Sequence, residues 1–266
     1  MRKDFQHFGS PARRHFLGIA AAAVGSLPLI ALTSSAKANE GEKEREHEGE
    51  GEGHHCFLAG TRVLTSHGEV PIEELAAGDL VETLNGPLPV KWVGRRTFKK
   101  VGMSSWHPRV APIRIARRSL DDQYPLRDLY LSPEHSLFID GFLIPVKYLV
   151  NGRSIAPAAM DESERLRYFH IELDTHEVIF ANGAPAETLQ VTAGREAFAN
   201  FVEYERLYGC DEQPAMKPFA PVLRYQGGRA ELQGLLRLAL SPVVDVRDPV
   251  QRAYDRIAAR AELVFT

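Results

Sequence analysis

The chain has 266 residues, 44% of them hydrophobic and 25% charged, with a formal net charge of −3 at pH 7. This is ordinary globular composition, enough for a sizeable core in one large domain or two small ones, and it offers no whole-chain case for binding nucleic acid. The two cysteines, Cys56 and Cys210, allow one disulfide but form no Cys-x-x-Cys pair, a chain of this length needs no stapling, and 17 scattered prolines argue against long helices.

Residues 1–38 read as a signal peptide. Arg2, Lys3, Arg13 and Arg14 form a basic start, and the apolar run 19–32 is short for a membrane span and is broken by Gly25 and Pro28. Ala36-Lys37-Ala38 supplies small residues for a peptidase, and Arg13-Arg14-His15-Phe16-Leu17 is similar to a twin-arginine export signal. The expectation is an exported protein, periplasmic or secreted, with no stable membrane span once the signal is removed. An uncut membrane anchor is the alternative. Residues 39–55 follow as an acidic linker without an apolar residue, seven Glu against Lys43 and Arg45 for a formal −5, and are expected to be disordered. His47, His54, His55 and Cys56 could hold a transition metal together, but their spacing matches no closed site, and a solvated linker is the simpler reading.

From Cys56 onward, short strand patterns alternate with turn signals: 61–65, 79–84 (ended by Asn85-Gly86-Pro87), 89–94, 112–116, 129–131, 137–139, 143–148, 153–156, 168–173 and 177–181. Their spacing predicts an all-β domain over 56–190. Residues 191–266 form an α-rich C-terminal extension in this reading, with a helix over 197–207 carrying Phe198, Phe201, Val202 and Leu207 near one face, and a second over 231–240.

Three stretches carry a family resemblance. The first opens on Cys56-Phe57-Leu58-Ala59-Gly60-Thr61-Arg62-Val63-Leu64-Thr65 and continues through Gly68-Glu69-Val70-Pro71-Ile72-Glu73-Glu74-Leu75 to Gly78-Asp79-Leu80-Val81. The second is Leu131-Ser132-Pro133-Glu134-His135-Ser136-Leu137, and the third runs from His170-Ile171-Glu172-Leu173 through His176-Glu177-Val178-Ile179-Phe180-Ala181-Asn182-Gly183. In this order they resemble the Hint family, the self-processing modules of inteins and Hedgehog proteins, in its bacterial intein-like and Hedgehog-like branch. The resemblance implies a compact β fold and a single-turnover, autoproteolytic activity with the chain's own N-terminal segment as substrate.

The residues fit that chemistry. Cys56 stands at the junction of linker and domain, where an accessible thiol can act as a nucleophile. Attack on the carbonyl of His55 turns the His55–Cys56 peptide into a thioester, which requires a proton for the leaving nitrogen and a stabilised oxyanion. His135 matches the proton-transfer position, Ser132 replaces the family's threonine at the scissile peptide, and His170 could assist. His170 and His176 also fit a structural role on an alternating strand, Asp79 is a turn residue, and Cys210 has no nearby histidine.

Two departures limit the reaction. Where splicing needs a penultimate His and a terminal Asn, this chain has Glu187 and Thr188, so splicing is not expected. Where sterol transfer needs a carboxylate, Trp92-Val93-Gly94-Arg95-Arg96-Thr97 is basic. What remains is thioester cleavage by water or an unknown external nucleophile, and no cofactor or metal is called for. A fast reaction in a domain folded before export would also cut off its own signal. The competing expectations are a retired Hint scaffold acting as a secreted binding module, and a metal-binding protein using the His-rich linker.

Overall fold

The computed structural model describes residues 55–100, 105–160, 162–190, 195–209, 215–223 and 248–264. All lie in the second of the two units into which the chain divides, Glu50–Thr266. The expected signal peptide, the linker up to residue 54, the expected helix at 231–240 and Cys210 lie outside the described residues.

The regular structure of the described residues is mostly strand. In chain order they form β1 (Phe57–Leu58), β2 (Arg62–Thr65), β3 (Gly68–Pro71), β4 (Leu80–Thr83), β5 (Gly86–Pro89), β6 (Trp92–Lys99) and β7 (Ile113–Ile115). There follow β8 (Leu129–Leu131), β9 (Ser136–Ile139), β10 (Phe142–Pro145), β11 (Ile155–Pro157), β12 (Arg165–Glu172), β13 (Val178–Ala181) and β14 (Ala184–Glu187). Two helices come last, α1 (Phe201–Tyr208) and α2 (Pro249–Val264). One sheet has the order β11-β7-β8-β1-β12-β6, and the other β10-β9-β14-β13-β2-β4-β5 with β3 paired to β2. The fold is all-β with a small α-rich extension.

Tight hairpins set the register of the second sheet. Asp140 and Gly141 link β9 to β10, and Asn182 and Gly183 link β13 to β14, each pair with positive φ (51° and 87°, 48° and 84°). Such pairs match the right-handed twist of the flanking strands. Pro87 and Pro89 sit on β5, at the edge of its sheet, where a missing N–H costs no ladder bond. The main core lies between the sheets and gathers Phe57, Val63, Ile115, Leu131, Leu137, Phe169 and Ile179.

Several expectations need adjustment. The run 143–148 is strand only to Pro145 and then turns as a short 3-10 helix over Val146–Leu149. β14 falls on Ala184-Pro185-Ala186-Glu187, a poor strand sequence that is made a strand by the Asn182-Gly183 turn and by pairing on both sides, to β13 and β9. The expected helix starts at Phe201 rather than residue 197, and it buries Tyr204. Val202 and Leu207, two of the four residues expected near one face, are exposed. Tyr204 instead packs edge-on against Trp92, ring centroids 5.4 Å apart, and takes the Arg195 guanidinium on its face. The extension also contains the helix α2, whose Ala253 and Ile257, one turn apart, enter the main core. No helix among the described residues is long and apolar enough to cross a membrane.

Candidate active site

β1 is only two residues long, yet it lies inside its sheet, between β8 and β12. Phe57 pairs with Leu131 on one side and with Phe169 on the other, both antiparallel. Antiparallel register therefore sets the preceding residue, Cys56, beside Ser132 on one strand and His170 on the other. The Ser132 hydroxyl oxygen accepts the Cys56 amide N–H at 2.7 Å, and the Ser132 N–H donates to the Cys56 carbonyl at 2.9 Å. Ser132 thus holds the nitrogen of the His55–Cys56 peptide bond.

From Ser132 the chain turns at once. The His135 N–H donates to the Ser132 carbonyl at 3.1 Å, which folds Pro133 and Glu134 over and turns His135 inward. The His135 ring packs edge-on against Phe57, centroids 4.2 Å apart, and lies 5.2 Å from the His170 ring. Cys56, Ser132, His135 and His170 are all buried. The four residues expected from sequence therefore occupy one neighbourhood, with Ser132 in direct contact with Cys56 and the two imidazoles gathered around Phe57.

One expectation about this site is wrong. Cys56 does not stand at an exposed edge: it is 2% exposed and packs with Leu166 and Tyr168 in a second, smaller apolar cluster. Burial pushes its thiol up to about 12, with Arg96 opposing weakly, so the resting group is a thiol. Burial likewise pushes His135 down to about 4, against the pull of the Glu187 carboxylate. Neither His135 ring nitrogen makes a well-formed hydrogen bond, although the His55 and Glu187 backbones lie close enough to favour its protonated form, and the Nε2 atoms of His170 and His176 lack hydrogen-bond partners. His170 is held well below its ordinary value by burial and then by the charges of His135, His55 and His176. At neutral pH these rings are uncharged, and each can take up or pass on a proton.

Sequence reasoning missed two participants. Glu187 entered only as a lost splicing position, yet its buried Oε1 accepts from the His55 Nδ1 at 2.9 Å and from the Ser136 N–H at 2.8 Å. The β14–β9 register, Ala186 opposite Leu137, is what brings Glu187 to Ser136. His55, read as linker, is thereby tied to the domain. Burial raises Glu187, but the hydrogen bond and charge of His55, with the charges of His135 and His176, outweigh it and hold the carboxyl below the ordinary range. The Asn182-Gly183 pair was the available signal for a hairpin ending here, though not for its partner strand. Thr188 is locked structurally, its buried hydroxyl accepting the Glu177 N–H at 2.9 Å. Asp79 is a turn residue, accepting from the Ala76 N–H at 2.9 Å.

Among the described residues no group of His, Cys, Asp and Glu is arranged to hold a metal. Of the linker ligands considered, His55 is engaged by Glu187 and Cys56 is packed among apolar residues, while His47 and His54 lie outside the described residues.

Several solved structures are similar to this chain. The gp41-1 intein is 17% identical, with 49% of this chain and 96% of that chain covered and a TM-score of 0.35. A bacterial intein-like domain from Clostridium thermocellum is 12% identical (51% and 99% covered, TM-score 0.30), and a DnaB intein from Synechocystis sp. PCC 6803 is 13% identical (50% and 99% covered, TM-score 0.32). Curated protein sequences yield no match. The family model described as "Hint domain" matches residues 55–193, more than half of the 266. The chain belongs to the Hint domain family.

Proposed function

We propose that this protein is an exported Hint domain that processes itself at His55–Cys56 without splicing. The Cys56 thiol adds to the His55 carbonyl carbon, forming a C–S bond and a tetrahedral intermediate. The C–N bond then breaks, the Cys56 nitrogen leaves as an amine carrying the thiol's former proton, and a thioester remains. Water or an external nucleophile takes the acyl group and returns the free thiol. His135 carries the proton from sulfur to nitrogen, Ser132 orients the leaving nitrogen, and His170 is a second ring alongside. Ligation does not follow, because Glu187 and Thr188 have no amide side chain to cyclise.

The observation that carries this reading is the Ser132 hydroxyl on the Cys56 amide at 2.7 Å, a buried polar contact on the one bond the chemistry must break. The signal-like residues 1–38, with Arg13-Arg14, support export to the periplasm or beyond. Burial holds the Cys56 thiol (about 12) and the His135 imidazole (about 4) in their neutral forms, so forming thiolate and imidazolium is uphill at rest, which fits a slow reaction. The same observation favours the second reading, a retired Hint scaffold that serves as a secreted binding module. A denaturing gel after incubation with dithiothreitol separates them. Self-processing releases a fragment beginning at Cys56 from the wild type and none from Cys56→Ala, whereas a scaffold stays intact in both.

A further inference from the structure

We propose that Glu187 selects the residue on the N-terminal side of the cleaved bond, so that processing at Cys56 requires a hydrogen-bond-donating side chain at position 55. The inference rests on the self-processing reading above and adds a specificity determinant to it.

Position 55 carries the carbonyl that the thiol attacks, so whatever holds its side chain also helps set the direction of that carbonyl. The His55 Nδ1 lies 2.9 Å from the Glu187 Oε1, with the carboxylate 4% exposed and the imidazole 29%. Glu187 cannot drift to follow a different side chain. The same Oε1 accepts the Ser136 N–H at 2.8 Å, and β14 is paired on both sides. Ser136 directly follows His135, so the carboxylate that grips the side chain of residue 55 is anchored on the segment that carries the ring packed against Phe57.

The environment of the carboxylate defines what it accepts. Among the described residues its ion-pair neighbours are histidines, His55 at 2.9 Å and His176 Nε2 at 3.7 Å from the other oxygen, with no Lys or Arg. A buried carboxylate without donors is costly. A side chain at position 55 that donates one hydrogen bond at imidazole reach, such as His or Gln, satisfies it. An aliphatic side chain leaves the oxygen short of a partner, and an acidic one sets two carboxyl groups against each other in a buried pocket. The leaving segment is thereby read through one side chain, while residues further upstream are free to vary.

The test uses the full chain, with His55→Gln, His55→Ala and His55→Glu made in the wild-type and the Glu187→Gln backgrounds. Near-ultraviolet circular dichroism and a thermal melt identify the variants that fold, and the readout is the initial rate at which hydroxylamine releases the fragment beginning at Cys56. His55→Gln is expected within about threefold of wild type. His55→Ala should fall about tenfold, the low end for a hydrogen bond to a charged group at a part-exposed position. His55→Glu should fall about 100-fold, and Glu187→Gln should restore it by about tenfold, because the new amide can donate to the new carboxylate. That rescue is one a merely structural Glu187 would not produce. Equal rates across the position-55 variants in a wild type that does cleave overturn this inference alone, as does a His55→Glu rate indifferent to residue 187. A folded wild type that hydroxylamine never cleaves overturns the self-processing reading and this inference with it.

Discussion

At the scale of residues, the protonation of Cys56 and His135 governs the account. Between about pH 4 and about pH 12 the pair rests as thiol and neutral imidazole. The reactive pair, thiolate and imidazolium, holds the same number of protons, so its population does not change with pH across that window. With trapping nucleophile in excess, the cleavage rate is therefore predicted to be flat from about pH 6 to about pH 9. His135→Ala should slow it by about two to four orders of magnitude at pH 7, and should also change the slope to about tenfold per pH unit, since thiolate then forms only by losing its proton to solvent. A wild-type rate that already climbs tenfold per unit would show that His135 is not the proton carrier. Ser132→Ala removes the partner of a buried N–H and is expected to slow cleavage about tenfold or more while the fold survives, checked by the rate beside a thermal melt. These residues were legible in the sequence because motif order names them. The burial of Cys56 was not, because it depends on Leu166 and Tyr168, more than a hundred positions away on β12.

At the scale of elements, the extension is stitched to the β domain at β6 and β12. A Cβ on Gly94 would lie 2.7 Å from the Phe198 ring and 2.9 Å from Trp92, so only glycine lets that aromatic layer close down on the strand. Arg195 adds a bidentate pair to the buried Glu172, with both contacts at 2.8 Å. Gly94→Ala and Phe198→Ala are each predicted to destabilise by about 1–3 kcal/mol, and the double variant should lose less than their sum, because removing the ring relieves the clash. Urea denaturation of the four proteins measures the coupling, and strict additivity would contradict it. The strands of this sheet were readable from alternation and turn residues. The burial of Tyr204 in place of Val202 and Leu207 was not, since an eight-residue helix has too few turns to declare which face meets Trp92. β14 escaped for a similar reason: Ala-Pro-Ala-Glu has no strand propensity of its own and depends on partners far along the chain.

For the molecule as a whole, the buried histidines fix the response to acid. His135 has a folded value of about 4 against an ordinary 6.5, and His170 and His176 are shifted in the same direction. The unfolded chain takes up these protons first. Stability present above about pH 6.5 is therefore lost as the pH falls toward 4, by about 3 kcal/mol for His135 alone. Glu187, held below its ordinary 4.5, has the same sign and loses its contribution at still lower pH. The urea midpoint is predicted to drop clearly between pH 7.5 and pH 5, and a midpoint unchanged over that interval would mean these rings are not buried and neutral. The fold class was legible because turn signals and strand patterns recur along residues 56–190, whereas the arrangement that brings Ser132, His170 and Glu187 to His55 and Cys56 arises from pairings between distant strands. The most direct test of self-processing is the intact mass of the full chain after hydroxylamine treatment. Thioester chemistry predicts a C-terminal product beginning at Cys56 and an N-terminal product ending in a His55 hydroxamate, both absent from Cys56→Ala. An intact wild-type chain, or a cleaved one whose N-terminal product ends in an ordinary carboxylate and forms equally well in Cys56→Ala, would contradict the account.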